Sequence, residues 1–319
     1  MRGQRAIGVV LAAVLTTTLP AGAAYADPTD DSGRGRPPAE VDPSTRENAL
    51  AAMHGEAYAY AAYRAYADEA ERAGEERVAW LFRRTARQER GEHFAEIARL
   101  IRFVGSNVDN LTDAIEGEQY EATVMYPEYA RQAEQDGCDA AADLFTEIAE
   151  DETRHAAWYE AARTALTDPD ADQNFPVGER VPTTPIPAGP AQCTGQTLAN
   201  LYDAMHGEAL ASAKYRLYAA HAWRTGEHRV AELFANAASQ ELNEHFAEEA
   251  ALAGLVQSTD ENLRTAIAGE REEATVTYPG YRDQAEEVGD RWAARLFDEL
   301  ASDEARHAYR FTRALDDLG

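Results

Sequence analysis

The sequence predicts an all-α protein made of two tandem four-helix bundles, and three observations support this fold class. First, apolar residues recur at the three- and four-residue spacing of amphipathic helices, and no stretch alternates with the two-residue period of a β-strand. Second, the chain repeats itself at a fixed offset of 152 positions, as between Glu56 and Glu208 or between His155 and His307. Third, turn residues divide each copy into four helical segments.

The first 26 residues have the pattern of a secretory signal peptide. Two arginines precede the apolar run 6–15, and an Ala-Tyr-Ala sequence ending at Ala26 provides a cleavage site. The run is too short to span a bilayer, and an uncleaved anchor is the alternative. We expect a secreted mature protein without a membrane anchor, in which residues 27–44, rich in Asp, Gly, Pro and Ser, form a disordered lead.

The first repeat, residues 45–167, is divided by turns at 73–74, 105–107 and 136–137. The predicted helices are Ala49–Ala73, Glu76–Phe103, Asn110–Gln135 and Asp139–Leu166. The second repeat, residues 196–319, follows the same plan from about Thr197. Between the repeats, residues 168–195 contain five proline dipeptide or tripeptide motifs and are predicted to form a semi-rigid extended linker.

Composition limits the classes of partner. The formal net charge of the 319-residue chain is -27, which disfavours nucleic acid and anionic membrane surfaces and attracts cations. We therefore expect no nucleic-acid partner and no membrane contact in the mature form, and we leave a homo-oligomer open.

The two cysteines, Cys138 and Cys193, lie near the end of the third helix and in the linker. Outside the cytoplasm they could pair and attach the linker to the first bundle, and free thiols are the equal alternative. Two cysteines cannot complete a four-cysteine iron or zinc site.

The third helix of each repeat carries two glutamates three residues apart, Glu118/Glu121 and Glu270/Glu273. This spacing places both carboxylates on one face of a helix, one turn apart. Thr, Val and Tyr follow on the expected buried side, and buried carboxylates are costly unless a positive charge neutralises them. Because no stripe of lysine or arginine lies nearby, a metal ion is the leading candidate.

Each repeat supplies seven potential ligands from its four helices. They are Glu56, Glu89, His93, Glu118, Glu121, Glu152 and His155 in the first repeat, and Glu208, Glu241, His245, Glu270, Glu273, Glu304 and His307 in the second. A Glu from each of two helices, with a Glu/His pair from each of the other two, is the ligand pattern of dinuclear carboxylate proteins. Carboxylates can bridge two cations, and imidazole completes each coordination sphere. Solvated surface charges are the alternative, which the recurrence at one offset disfavours.

Four further histidines fit this pattern less well. His54 and His206 lie two residues before the glutamates of the first helices, off the ligand face, and are predicted to be capping or supporting groups. His221 and His228 have no counterpart in the first repeat and are predicted to lie at the surface.

The segments AMHGEAYAYAAYRAYA, GEQYEATVMYPEY and ETRH, with their second-copy counterparts, resemble the ferritin-like domain of rubrerythrins. The resemblance covers essentially both repeats, and GExxE…MYPxY is quite specific. It implies that the seven donors of each set ligate a di-iron centre, two per chain, with Glu89 and Glu152 bridging. It also implies that one iron exchanges His93 for Glu121, and His245 for Glu273, as it is oxidised and reduced. Manganese is an alternative occupant.

Three departures from the family pattern bear on this prediction. The family's second helix has Glu-x-x-His, whereas Glu89 and His93 are four residues apart, which rotates the histidine by about 100°. A one-residue π-bulge near Gly91 would restore the register. The chain lacks the four-cysteine rubredoxin module, so the electron donor must be another molecule. Most relatives are cytoplasmic, and this protein is predicted to be exported.

The connector between the second and third helices, Val104–Asn110, spans at most about 25 Å, and the second helix is about 40 Å long. We therefore predict that the first two helices of one repeat pack against the last two of the other. Two self-contained bundles are the alternative.

Three functions follow from these expectations. The first is a di-iron peroxidase or oxidase that reduces hydrogen peroxide or dioxygen, with Tyr63 and Tyr215 hydrogen-bonded to the sites. The second is an iron-binding, ferroxidase-type protein that handles metal without turnover. The third, a metal-free scaffold, is disfavoured by the duplicated ligand set.

Overall fold

The computed structural model describes residues 37–318, so the predicted signal peptide and most of the predicted disordered lead lie outside the described residues. Within this range the chain forms eight long helices and no strand. In chain order they are α1 (Pro43–Arg72); α2 (Glu76–Gln88, Glu89–Phe94 and Ala95–Leu100); α3 (Asn107–Tyr120, Glu121–Met125 and Tyr126–Asp136); α4 (Asp139–Thr167); α5 (Gly195–Thr225); α6 (His228–Gln240, Glu241–His245 and Phe246–Ala253); α7 (Thr259–Glu272, Glu273–Thr277 and Tyr278–Val288); and α8 (Arg291–Leu318). The middle segment of α2, α3, α6 and α7 is π-helical.

The predicted four-helix plan of each repeat is confirmed, with shifted helix ends. Helix α1 begins at Pro43, six residues before the predicted start, because the Asp42 side chain accepts a hydrogen bond from the Ser44 backbone N–H and proline suits the first turn. Residues 43–44 of the predicted lead are therefore helical. Helix α3 begins at Asn107 because Ser106 and Asp109 form a capping box.

The core forms where α1 and α2 pack against α7 and α8, and where α5 and α6 pack against α3 and α4. Phe82 of α2 lies 4.9 Å from Phe311 of α8, between ring centroids, and Tyr63 of α1 completes this cluster. On the other side, Phe234 of α6 lies 5.1 Å from Tyr159 of α4. The bundles are thus built from helices of both repeats.

The linker between α4 and α5 has no regular secondary structure and follows the surface of the bundles. The backbone N–H of Gln192 donates to the Leu252 carbonyl, and Gly189 donates to Val256. Gly254 permits this close approach, because a Cβ at that position would lie 2.3 Å from Ala191 N, and its φ of +63° favours glycine.

Cys138 and Cys193 form a disulfide, which settles the alternative that the sequence left open. The bond joins the turn between α3 and α4 to the end of the linker and closes a loop with a sequence separation of 55. It therefore attaches the start of the second repeat to the first.

None of the helices within residues 37–318 has an apolar stretch of the length that a membrane span requires.

Candidate metal centres

Two clusters of buried carboxylates and histidines lie inside the bundles, and each takes residues from both repeats. Site I consists of Glu56, Glu89 and His93 from α1 and α2, with Glu270, Glu304 and His307 from α7 and α8. Site II consists of Glu208, Glu241 and His245 from α5 and α6, with Glu118, Glu152 and His155 from α3 and α4. Each of these twelve residues is at most 3% exposed. The structure thus brings together twelve of the fourteen predicted ligands.

Each site contains two overlapping groups of four ligand atoms, and within each group all the atoms lie within 4.8 Å of one another. In site I both groups contain Glu89 and Glu304, and in site II both contain Glu152 and Glu241. The shared carboxylates occupy the positions that would bridge two cations, and each group has one histidine at its end. The arrangement therefore suits a pair of ions rather than a single ion.

In site I the Nδ1 atom of each histidine faces the carboxylates. His93 Nδ1 lies 2.8 Å from Glu89 Oε2 and 3.1 Å from Glu304 Oε1. His307 Nδ1 lies 2.9 Å from Glu304 Oε2 and 3.1 Å from Glu89 Oε1. The two rings are 5.7 Å apart, between centroids. Ligand atoms around one ion with bonds of about 2.1 Å are separated by about 3 Å, which is the spacing found here.

Site II repeats this geometry. His245 Nδ1 lies 2.9 Å from Glu241 Oε2 and 3.0 Å from Glu152 Oε1. His155 Nδ1 lies 2.9 Å from Glu152 Oε2 and 3.2 Å from Glu241 Oε1. The residues that match at the sequence offset of 152 therefore occupy equivalent places in the two sites.

The π-helical segments explain how glutamate and histidine four residues apart reach one site. The segment Glu89–Phe94 begins at the glutamate and contains the histidine, and Glu241–His245 does the same in the second repeat. A π-turn accommodates one more residue than an α-turn, which corrects the rotation that the longer spacing would cause. The predicted π-bulge near Gly91 is confirmed.

Glu121 and Glu273 lie beside the sites, outside the groups of four. Each is the first residue of a π-segment that the sequence analysis did not predict, in α3 and α7. The carboxylate of Glu273 faces the backbone of α1, where a Cβ on Gly55 would be 3.5 Å from Glu273 Oε1. Desolvation and neighbouring carboxylates raise the pKa of both side chains well above the usual value. Pro127, two residues after the π-segment of α3, could have indicated an irregular helix from the sequence. Proline lacks the backbone N–H that a continuous helical hydrogen-bond pattern needs.

Polar side chains around site I fix the orientation of its histidines. His307 Nε2 lies 3.1 Å from Gln88 Oε1, and His93 Nε2 lies 3.3 Å from Asp303 Oδ2. Gln88 Nε2 in turn donates to Asp303 Oδ2 at 3.2 Å, and Arg306 forms an ion pair with Asp303. This network occupies both Nε2 atoms and leaves both Nδ1 atoms for the site, as in metal sites whose histidines are held by an outer carboxylate or amide.

Gln240 and Asp151 form the same network in site II. His155 Nε2 lies 3.0 Å from Gln240 Oε1, Gln240 Nε2 donates to Asp151 at 3.0 Å, and His245 Nε2 lies 3.4 Å from Asp151. Gln240, Asp151 and their counterparts were not predicted from the sequence, although they repeat at the same offset as the ligands. Their recurrence beside the Glu/His pairs was the signal that could have found them.

Tyrosines hydrogen-bond the outer carboxylates of each site. The Tyr63 hydroxyl donates to Glu270 Oε1 at 2.6 Å, and Tyr215 donates to Glu118, so the predicted contacts of these two tyrosines with the sites are confirmed. Tyr278 and Tyr126 donate in the same way to Glu56 and Glu208. These hydroxyls orient the carboxylates while leaving their second oxygens directed at the site.

Without a cation, the four carboxylates of each site outnumber its two histidines. Burial raises the pKa of Glu56 to about 8 and that of Glu208 to about 7. Burial also opposes ionisation of Glu89, but His307 and His93 outweigh it and lower the pKa of Glu89 to about 2. Burial would lower the pKa of His307, and Glu89, Glu270 and Glu304 instead raise it to about 12. Protonation of these groups therefore offsets the repulsion between the carboxylates, and a bound metal ion would displace the protons.

The donors fit a metal pair because many of their atoms lack a hydrogen bond. In site I, both oxygens of Glu89, Glu304 Oε1, Glu270 Oε2 and His93 Nδ1 are buried without a hydrogen-bond partner in suitable geometry, and site II has a matching set. Buried polar atoms are normally satisfied, so these atoms point to a cation. The mixture of carboxylates and imidazole suits iron or manganese.

The remaining histidines lie outside both groups of ligands. His206 stacks on Tyr58 with ring centroids 3.9 Å apart, and burial lowers its pKa to about 4. Burial also lowers the pKa of His54. His228 is exposed and contacts Trp223, whereas His221 is half-buried.

The fold and the two sites define a helical-bundle protein of the carboxylate-and-histidine, dinuclear-metal class. The rubrerythrin family model matches residues 47–163 and 241–315, more than half of the chain. The chain therefore belongs to the rubrerythrin family.

Two curated relatives have related sequences. A rubrerythrin from Porphyromonas gingivalis is 37% identical over 133 residues, which cover 38% of this chain and 66% of the relative. A nigerythrin from Nitratidesulfovibrio vulgaris is 35% identical over 143 residues, which cover 41% of this chain and 71% of the relative. The chain thus spans about two thirds of the length of these relatives. No solved structure matches the chain significantly.

Proposed function

We propose that this protein is an exported di-iron enzyme that reduces hydrogen peroxide or dioxygen at two dinuclear sites per chain. The observation that carries the proposal is the duplicated set of six buried ligands, in which two carboxylates of each site are shared between two groups of donors. When bound, an iron pair would supply two electrons and a Lewis acid to the oxidant.

The chain's own residues would bind the metal pair and orient its ligands. Glu89 and Glu304 would bridge the metals of site I, with His93 and His307 at the two ends. Tyr63 orients Glu270, and the Gln88–Asp303 network holds both imidazole rings. The near-complete burial of these side chains excludes bulk water and favours a small oxidant. Glu121 and Glu273 lie beside the carboxylates of the sites and would supply one further carboxylate to a bound metal pair.

The electrons would come from an external donor. Peroxide needs two electrons and two protons to become two water molecules, and a ferrous pair supplies one such set of electrons. Both cysteines of the chain are in the disulfide, so they cannot hold an iron-sulfur centre that would refill the site. The disulfide also supports export, because such bonds persist in oxidising compartments.

The first experiment is the measurement of iron and manganese in protein purified without chelator, compared with the Glu118→Ala/Glu270→Ala double variant. We expect about four metal ions per chain, and their loss in the variant, which removes one ligand from each site. Little metal in the unmodified protein would overturn the proposal.

A ferroxidase-type iron-handling role is the second candidate, and the net charge of -27 favours it because an acidic surface attracts cations. Stopped-flow mixing of the ferrous protein with peroxide or with air separates the two functions. Faster reoxidation by peroxide, followed by repeated cycles of reduction, would support the enzyme. A single stoichiometric oxidation with retained iron would support iron handling.

A further inference from the structure

Sites I and II have the same inner residues but differ at one buried position beside them. Glu249 lies on α6, one turn after His245, and is 0% exposed. The residue at the matching position in α2 is Ile97, which is also fully buried. Site II therefore has a buried carboxylate where site I has an apolar side chain. Glu249 was not predicted as a site residue from the sequence because it has no counterpart in the first repeat.

Glu249 has fewer hydrogen bonds than its oxygens can accept. Its Oε1 lies 3.1 Å from the Tyr126 hydroxyl, and its Oε2 is buried without a partner. The Tyr126 hydroxyl also contacts Glu208, a residue of site II. A tyrosine hydroxyl carries one proton, so Tyr126 cannot donate to both carboxylates at once. In site I the equivalent Tyr278 donates to Glu56, and among the described residues it has no hydrogen bond to a second carboxylate.

The charge difference between the sites rests on Glu249. Lys214 and Asp113 lie beside site II, where their Nζ and Oδ2 atoms form an ion pair at 3.2 Å. The corresponding residues beside site I are uncharged, Ala62 and Thr265. Because the lysine and aspartate offset each other, Glu249 gives site II one carboxylate more than site I, and therefore one more negative charge when that carboxylate is ionised. A buried charge is costly unless it is compensated, and a cation in site II would compensate it.

We propose that Glu249 is a positioning carboxylate that strengthens ferrous iron binding in the half of site II held by Glu208 and His245. When Tyr126 donates to Glu249, both oxygens of Glu208 are open to the cation, and the charge of Glu249 adds to the attraction. Site I lacks both effects, so the two sites of one chain bind iron with different affinities. The inference rests on the proposed iron-binding function.

The test uses variants that each retain one site. Glu270→Ala removes a ligand of site I and leaves site II, and Glu118→Ala does the reverse. Anaerobic calorimetric titration with ferrous iron then reports one site at a time. Adding Glu249→Gln, which keeps the shape but removes the charge, is expected to weaken binding about 10- to 100-fold in the Glu270→Ala background and to leave it unchanged in the Glu118→Ala background.

The matched control is Glu248→Gln, which removes the same charge from the adjacent, exposed position of α6. It should not change the affinity in either background. A second variant is Ile97→Glu in the Glu118→Ala background, which is expected to tighten binding at site I. An unchanged affinity after Glu249→Gln, with iron still bound at site II, would overturn the inference. Absence of iron binding in both single-site backgrounds would instead overturn the proposed function.

Discussion

Asp303 and Gln88 determine which nitrogen of each histidine faces site I. Both Nε2 atoms are engaged by this pair, at 3.1 Å for His307 and 3.3 Å for His93. The histidines are thereby held in one orientation before any cation arrives, which reduces the entropy that metal binding must remove. The recurrence of the pair as Asp151 and Gln240 indicates that the network belongs to the site rather than to general packing.

Replacement of Asp303 by alanine should therefore weaken metal binding at site I about 10- to 100-fold, because His93 loses its Nε2 partner and Gln88 loses its acceptor. Site II should be unchanged. Equilibrium dialysis against ferrous iron in the Glu118→Ala and Glu270→Ala backgrounds measures each site separately. Asp298→Ala is the control, since Asp298 lies on the same helix and its side chain is 62% exposed. Equal affinity of site I with and without Asp303 would contradict this role.

At the scale of the helices, the four π-helical segments determine where the ligands lie. Those in α2 and α6 contain the Glu/His pairs, and those in α3 and α7 begin at Glu121 and Glu273. All four lie in the middle of a helix, where an extra residue would otherwise rotate one half of the helix by about 100° relative to the other. The π-turn absorbs this residue locally, so that both flanking α-helical segments keep their apolar faces on the core.

Deletion of Gly91 tests this explanation. The shortened segment should become an ordinary α-helix with glutamate and histidine three residues apart on one face, so the fold and metal binding at site I should persist. Gly91 is exposed, and a Cβ added there would have no atom within 4 Å, so no packing is lost. Circular dichroism melting and metal analysis in the Glu118→Ala background provide the measurement.

Deletion of the exposed Arg84 from the regular part of α2 is the matched control. It rotates the preceding turns, including the buried Phe82, away from the core, and should lower the melting temperature strongly. Equal destabilisation by the two deletions would show that the π-segment is not a removable insertion.

At the scale of the molecule, the two repeats depend on each other. Each site takes three ligands from each repeat, and the aromatic clusters beside the sites also combine α2 with α8 and α6 with α4. The connection between α2 and α3 contains only residues 101–106, which is too short to run back along the length of α2. The third and fourth helices of each repeat instead pack against the first two helices of the other repeat.

The sequence predicted much of this arrangement because the duplication acts as an internal comparison. The helical plan, the twelve clustered side chains and the π-bulge near Gly91 could all be inferred from residues that recur at one offset. Helix ends could not, because caps such as Asp42 act through local backbone geometry. Glu249 was missed for the opposite reason, since it has no counterpart and only its burial beside Tyr126 reveals it.

Cleavage of the linker should leave the two halves associated, because neither half can complete a bundle or a site alone. A protease sequence inserted at the exposed residues 182–185 would cut the chain between α4 and α5. The Cys138–Cys193 disulfide would still join the halves, so the experiment requires the Cys138→Ser/Cys193→Ser background. We expect the cut protein to elute as one species in size-exclusion chromatography, and to separate only in denaturant. Two half-sized species that keep their helical circular dichroism under native conditions would instead require each repeat to be a self-contained bundle.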